Sequence, residues 1–468
     1  MKRSITGLLL ALVLPALLSA CQEGGAERGA SKASRYAPTN LPPVLPTGDF
    51  TAYIDGARGH VMAVNTAAKT PISEEEAAAL GPFELRPQPK GKDCKGNAEA
   101  EYDRGVLLIH GLNDTAFSMW DLGARFAKAC YLVRAILLPG HGTVPGDLLN
   151  VGPRAWRDAV AKAVWSFRGE ADRLVIAGFD LGAVLALDAA LDLAMPPEVE
   201  LDGVVLLAPA FNYDPPSFAP AAVGPAGNAL WGEVFEKHSS FRYHSIAKPS
   251  IAATERLGSA LLDRQAPLHV PLFMVLSAED AVTDAEAARD WFCGQSVTPR
   301  HLLWYSRYPE APFPACSCTI QRRDSRANQS RVCVSIRSSS CTLPSSEEGG
   351  KRSLPTAETC RRNPFSSKNG DAGGAILDLA HIALLAAPSN PRYGATAKIN
   401  DCLHYSWEQE TPEGQVCSGR SNGDGARYLR YGETSGGNLE NYILRRLTYN
   451  PDFDHMAERM IDFLRRSN

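Results

Sequence analysis

Apolar residues along the chain come as short continuous runs separated by stretches of helical period. Gly105-Val-Leu-Leu-Ile109 is one such run, and Leu174–Ala177, Gly203–Leu207 and Leu272–Leu276 are others. Tyr131–Leu138 is a further run, ending in the turn sequence Pro139-Gly-His-Gly142. Runs this short, with no polar alternation, predict strands buried on both faces. Between them, Arg154–Phe167 sets Trp156, Ala159, Val160, Ala163, Val164 and Phe167 at helical spacing, and Leu181–Leu193 predicts an apolar, alanine-rich helix. Strand and helix in alternation predict α/β architecture, a mostly parallel sheet with helices on both faces.

Three stretches break this pattern. Residues 22–48 are rich in Gly, Ser, Ala and Pro without apolar period, which predicts a flexible tether and a folded domain over 49–468. From about 211 to 266 the chain turns aromatic and proline-rich, with short helical pieces such as Leu230–Glu236; it interrupts the sheet as a lid or as a long crossover connection. From about 309 to 374, Ser and Arg crowd together with five cysteines, a composition with little to bury that predicts a surface insertion.

The formal net charge of −4 on 468 residues gives no electrostatic case for nucleic acid as a partner and leaves a small-molecule or lipid-like substrate as the expectation. The start, MKRSITGLLLALVLPALLSAC, has a basic end, an apolar run too short to span a bilayer and small residues before Cys21. Leu18-Ser-Ala-Cys21 resembles the bacterial lipoprotein cleavage box. That resemblance implies an acylated Cys21 and a lipid anchor in the cell envelope, and Gln22 in the next position implies the outer membrane, facing the periplasm. Ten cysteines then remain: 94, 130, 293, 316, 318, 333, 341, 360, 402 and 417. An even number in an exported chain predicts disulfides, Cys402 with Cys417 being the easiest local pair. Cys316-Ser-Cys318 lacks metal-ligand spacing, and no motif calls for a metal or an organic cofactor.

The candidate chemistry centres on Ala177-Gly-Phe-Asp-Leu-Gly182. A strand that runs into Gly-x-nucleophile-x-Gly and then into a helix lifts the central residue above the sheet; here that residue is Asp180, where a serine is usual. His110-Gly-Leu-Asn-Asp114 closes an earlier strand, so the backbone N–H groups of Leu112 and Leu181 are the candidate oxyanion donors. His110 and His141 are expected to be turn histidines. The acid of a triad follows a late strand: Asp280 in Leu276-Ser-Ala-Glu-Asp280, with Glu279 as its neighbour. The histidine follows in chain order, and His381 is preferred over His455, which lies on a helical pattern, and over His404.

Taken in order, GVLLIHGLNDTAFSMWDL, LLPGHGTVPGDLL, GFDLGAVLAL and FMVLSAEDAVTD resemble the α/β-hydrolase superfamily on its esterase, lipase and monoacylglycerol-lipase-like side. The resemblance runs from about residue 82 to the C-terminus apart from the insertion. It implies an α/β-hydrolase fold and a triad of Asp180, Asp280 and His381. An aspartate changes the chemistry, since it is already an anion at neutral pH and needs no base before it attacks. Its attack on an ester would give a mixed anhydride; its attack on a saturated carbon gives an ordinary ester of Asp180. Three functions therefore remain open: a hydrolase of esterase lineage using Asp180, an epoxide or haloalkane type hydrolase, and an inactive binding or scaffolding lipoprotein. Tyr213, Trp231 and Tyr243 are the aromatic residues that a ring-polarising or halide-binding lid could use.

Overall fold

The computed structural model describes residues 35–87, 94–96, 100–213, 231, 241–245, 247–264, 266–296, 299–306, 332–338, 376, 378–397, 412–417, 429–433 and 443–467. The signal segment, Cys21, Leu230–Glu236 apart from Trp231, His404 and Cys402 lie outside these residues. Helices α1 (Phe50–Ala67) and α2 (Glu74–Leu80) precede a short strand, β1 (Phe83–Leu85). Strand β2 (Tyr102–Ile109), helix α3 (Trp120–Lys128), β3 (Tyr131–Ile136) and α4 (Pro153–Trp165) follow. Then come β4 (Ala171–Phe179), α5 (Leu181–Asp192), β5 (Glu200–Leu207), α6 (Lys248–Asp263), β6 (Leu272–Ser277) and α7 (Ala285–Gly294). The chain continues through β7 (Arg300–Ser306), β8 (Val332–Ser338), α8 (Pro412–Cys417), β9 (Leu429–Gly432), β10 (Ile443–Arg446) and α9 (Phe453–Arg466).

Among the described residues, eight strands form one sheet in the order β1-β3-β2-β4-β5-β6-β7-β8, with only β1 antiparallel to its neighbour. The apolar runs divide between its faces by strand alternation. Leu107, Ile109, Leu174, Ile176, Val204 and Leu206 pack with α1, α4, α5, α6 and α7, while Val106, Leu108, Val175, Ala177, Val205 and Leu207 pack with α3 and α9. Each Val, Leu or Ile among them, buried completely, contributes about 1.5–3 kcal/mol of transfer free energy. That two-sided burial is why these strands carry no polar alternation.

Three expectations need correction. Residues 35–48, expected as tether, lie against the domain: Asp147 accepts from the Thr39 N–H at 2.7 Å and its hydroxyl at 2.8 Å, Tyr36 stacks edge-on to Trp231, and Val44 packs on the core. The second half of the expected lid is body, since α6 buries Ala253, Leu257 and Leu261 in the main core. Gly258 makes that approach possible, because a Cβ there would fall 2.3 Å from Ala210 O. The expected surface insertion also supplies a strand of the main sheet, β8, parallel to β7; its alternation, Val332-Cys-Val-Ser-Ile-Arg-Ser338, was hidden among serines and arginines. Cys94 and Cys130 form a disulfide, and Cys417 is disulfide-bonded too.

Candidate active site

Strand β4 extends through Phe179, so Asp180 is the first residue beyond it and α5 begins at once. Asp180 sits at φ 52° and ψ −116°, a conformation that costs a non-glycine residue about 1–3 kcal/mol and persists only where neighbours enforce it. Its N–H donates to Leu207 O at 3.0 Å and its carbonyl accepts from Ala183 N and Val184 N, tying it to both β5 and α5. Two glycines make the turn possible. A Cβ on Gly178 would lie 2.0 Å from Gly182 O, and one on Gly182 would lie 2.1 Å from Ile109 O.

The Asp180 side chain turns toward the loop after β2. Leu112 N donates to Asp180 Oδ2 at 2.7 Å, and the Leu181 N–H stabilises the same carboxylate. The pair of backbone donors expected to form an oxyanion hole thus converges on the aspartate itself. Oδ1 is buried with no hydrogen bond of its own. Burial raises the Asp180 pKa above the ordinary carboxylate value; the facing His381 and the two N–H groups oppose this without reversing it.

Opposite stands a buried dyad. His381 Nδ1 meets Asp280 Oδ2 at 2.7 Å, while Asp280 Oδ1 accepts from Val282 N at 2.8 Å and Thr283 N at 2.9 Å. Three fixed partners leave the carboxylate one orientation, which orients the imidazole and leaves its Nε2 for chemistry. Burial works against the charge on both groups, yet each sustains the other: the Asp280 pKa is lowered, and Asp280, Asp180 and Glu433 raise that of His381. The Phe179 ring lies on His381 at 4.6 Å between centroids. Asp280 rather than Glu279, and His381 rather than His455, thus form the pair; His455 lies half-buried on α9 beside Arg459.

The other two histidines near the site bond only to backbone. His110 Nδ1 meets Gly111 O at 2.8 Å and its Nε2 accepts from Leu138 N at 3.0 Å. His141 Nε2 accepts from Asn113 N at 3.2 Å, with Nδ1 on Pro139 O at 3.1 Å, so it shapes the loop that presents Leu112. Burial lowers both pKa values, that of His141 to about 4. On β7, His301 stacks on Phe273 and is likewise pushed down to about 4, by burial and by the charges of Arg459 and His455.

These shifts set an acid sensitivity. An imidazole whose folded pKa is depressed stabilises the fold above its unfolded value of 6.5 and loses that contribution as pH falls toward 4, about 3 kcal/mol for each of His141 and His301. Asp114, pushed up to about 6 by burial, has the opposite sign and regains stability over the same fall. The share carried by His141 and His301 is therefore expected to be lost between pH 6.5 and 4. Urea midpoints across that range check it, and His301→Leu should shed one imidazole's share; an unchanged acid loss in that variant would overturn the assignment.

Sequence reasoning missed the residues behind His381. Its N–H donates to Glu433 Oε2 at 2.9 Å, and Glu433 pairs with Arg446. No motif marks them, and buried charges in a polar stretch give no apolar signal. Tyr213 was named only as a lid aromatic. Its hydroxyl faces Asp180, and burial together with that charge raises its pKa well above the ordinary value. Among the described residues, no His, Cys, Asp and Glu group could hold a metal ion, and no helix is long and apolar enough to cross a membrane.

Sheet order, elbow, donor loop and dyad together define the α/β-hydrolase fold, and residues 106–329 match the family model described as alpha/beta hydrolase family. A thermostable monoacylglycerol lipase of Bacillus sp. (strain H-257) is 32% identical over 83 residues, 18% of this chain and 33% of that protein. A carboxylesterase of Bacillus subtilis (strain 168) is 29% identical over 86 residues, 18% of this chain and 35% of that one. The chain thus spans about a third of the length of these curated relatives. Among solved structures, a Paleococcus ferrophilus monoacylglycerol lipase is 16% identical, with 48% of this chain and 88% of that chain covered and a TM-score of 0.36.

Proposed function

We propose that the protein is a hydrolase of esterase and monoacylglycerol lipase lineage that acts on a small or lipid-like substrate through Asp180, by way of an alkyl ester of that residue. The observation that carries this reading is the 2.7 Å hydrogen bond from Leu112 N to Asp180 Oδ2. With the Asp180 carboxylate on both donors, an ester carbonyl has no oxyanion hole to enter, and acyl transfer loses its main stabilisation. Oδ1 remains as the nucleophile. Its attack on a saturated carbon forms a C–O bond and breaks the C–O bond of an epoxide or the C–halogen bond of a haloalkane.

The second step uses the same geometry. His381 Nε2 takes a proton from water, and the hydroxide adds to Asp180 Cγ. Negative charge then develops on Oδ2, already hydrogen-bonded to Leu112 N and with the Leu181 N–H acting on the same carboxyl group, so the donors need no rearrangement. Collapse breaks the Cγ–Oδ1 bond, the alcohol leaves with the proton from His381, and the acid left on Asp180 gives up its remaining proton, to the Tyr213 phenolate where Tyr213 has donated or to water otherwise, which restores the carboxylate. Tyr213, kept protonated by burial and by the Asp180 charge, is available to donate to the departing alkoxide, which favours epoxides over halides.

Anchoring belongs to the same proposal: acylation at Cys21 would hold the domain in the bacterial envelope, at the outer membrane facing the periplasm. The Cys94–Cys130 disulfide supports an oxidising compartment. A single turnover in H₂¹⁸O with enzyme in excess tests the chemistry. The alkyl route puts ¹⁸O into Asp180 and leaves the product unlabelled, whereas direct attack by water labels the product only. If no ester, epoxide or halide is turned over and Asp180 stays unlabelled, the carboxylate is a plug in the oxyanion hole and the protein a binding or scaffolding lipoprotein.

A further inference from the structure

His381 opens a short 3₁₀ turn, His381–Leu385, and a chain segment far away in sequence holds its backbone. Glu433 follows β9 directly and is 3% exposed. One carboxylate oxygen accepts the His381 N–H at 2.9 Å, and the other lies 2.9 Å from Nε of Arg446, the last residue of β10. The Glu433 N–H in turn donates to Asp378 Oδ1 at 2.5 Å, three residues before the histidine. Ile376 bridges to Tyr431 of β9, and a Cβ on Gly432 would fall 2.4 Å from Asp378 Oδ1, so the two segments lie in direct contact. A carboxylate this deeply buried costs several kcal/mol before its partners offset it, and an apolar side chain would close the β9–β10 sheet without that cost.

We infer that Glu433 is a positioning residue, which with Arg446 fixes the His381 turn against Asp280 and adds its negative field to that of Asp280. The inference rests on the proposed role of His381 as the base. The groups that bear on the imidazole are Asp280 after β6, Asp180 at the elbow, Glu433 after β9, Arg446 on β10 behind it, Asp378 in its own loop and the Phe179 ring. Burial pulls the His381 pKa down, and the carboxylates of Asp280, Asp180 and Glu433 together raise it above 6.5.

A histidine NMR titration of the full chain tests this without any substrate, His381 being assigned by its loss in His381→Gln. Glu433→Gln keeps an acceptor for the His381 N–H but removes the charge and bares Arg446; the imidazole midpoint is expected to fall by about one unit, a tenfold drop in proton affinity. Arg446→Gln should move it the other way, and Glu433→Asp should restore it toward wild type. A purely structural pair would change the melting temperature and leave the midpoint in place. If neither Glu433→Gln nor Arg446→Gln shifts the midpoint in folded protein, the inference is wrong. Because the readout needs no turnover, its failure is separate from any failure of the alkyl-ester chemistry.

Discussion

Asp180→Ser is expected to turn the protein into an esterase, with hydrolysis of p-nitrophenyl esters rising at least about 10³-fold over wild type. Two obstacles disappear together. The carboxylate that occupies the Leu112 and Leu181 donors is gone, so an ester carbonyl can place its developing oxyanion there. The new hydroxyl needs a base, and His381, oriented by Asp280 at 2.7 Å, is one. The backbone at φ 52° is set by Gly178, Gly182 and the bond to Leu207, none of which depends on the side chain at 180, so the turn should survive. Assays of wild type and variant across acyl lengths, on the domain from residue 22 onward, decide the matter. An inactive variant with unchanged stability would mean that His381 Nε2 does not reach the elbow; an active wild type that the serine does not improve would mean that Asp180 serves as a base for water.

The sheet and the elbow were legible in the sequence because their signals are local. Strands buried on both faces have to be apolar throughout, and a turn with a backbone atom 2.0 Å from a would-be Cβ has to carry glycine. Leu112 and Leu181 follow from the positions of two motifs alone, since the backbone and not the side chain does the work. Long-range electrostatics was illegible. Glu433 and Arg446 reach His381 across more than fifty residues of polar sequence, and no spacing announces that. The insertion misled for a related reason: β8 is a short strand whose one neighbour among the described residues is β7, and its few apolar residues drown in a serine and arginine background. The N-terminal stretch misled because prolines and small residues fit an extended strap as well as a tether; the carboxylate of Asp147, which anchors it, lies over a hundred residues away.

His381→Gln separates the two chemical steps. Alkylation of Asp180 needs no base, so the variant should still react once with an epoxide or haloalkane, while water, with no base to take its proton, attacks the ester about 10³–10⁴-fold more slowly. The alkyl ester then accumulates, and the mass of the intact protein rises by that of the added group. The nucleophile has to be ionised and burial raises its pKa, whereas the base has to be neutral and the carboxylates around it raise its pKa, so both steps lose rate on the acid side. Asp280→Asn, which favours the wrong imidazole tautomer, should resemble His381→Gln in trapping the ester, with a loss of about 10⁴ in turnover. If both variants lose alkylation along with turnover, His381 acts before the ester forms, and the carboxylate at the elbow is not the nucleophile.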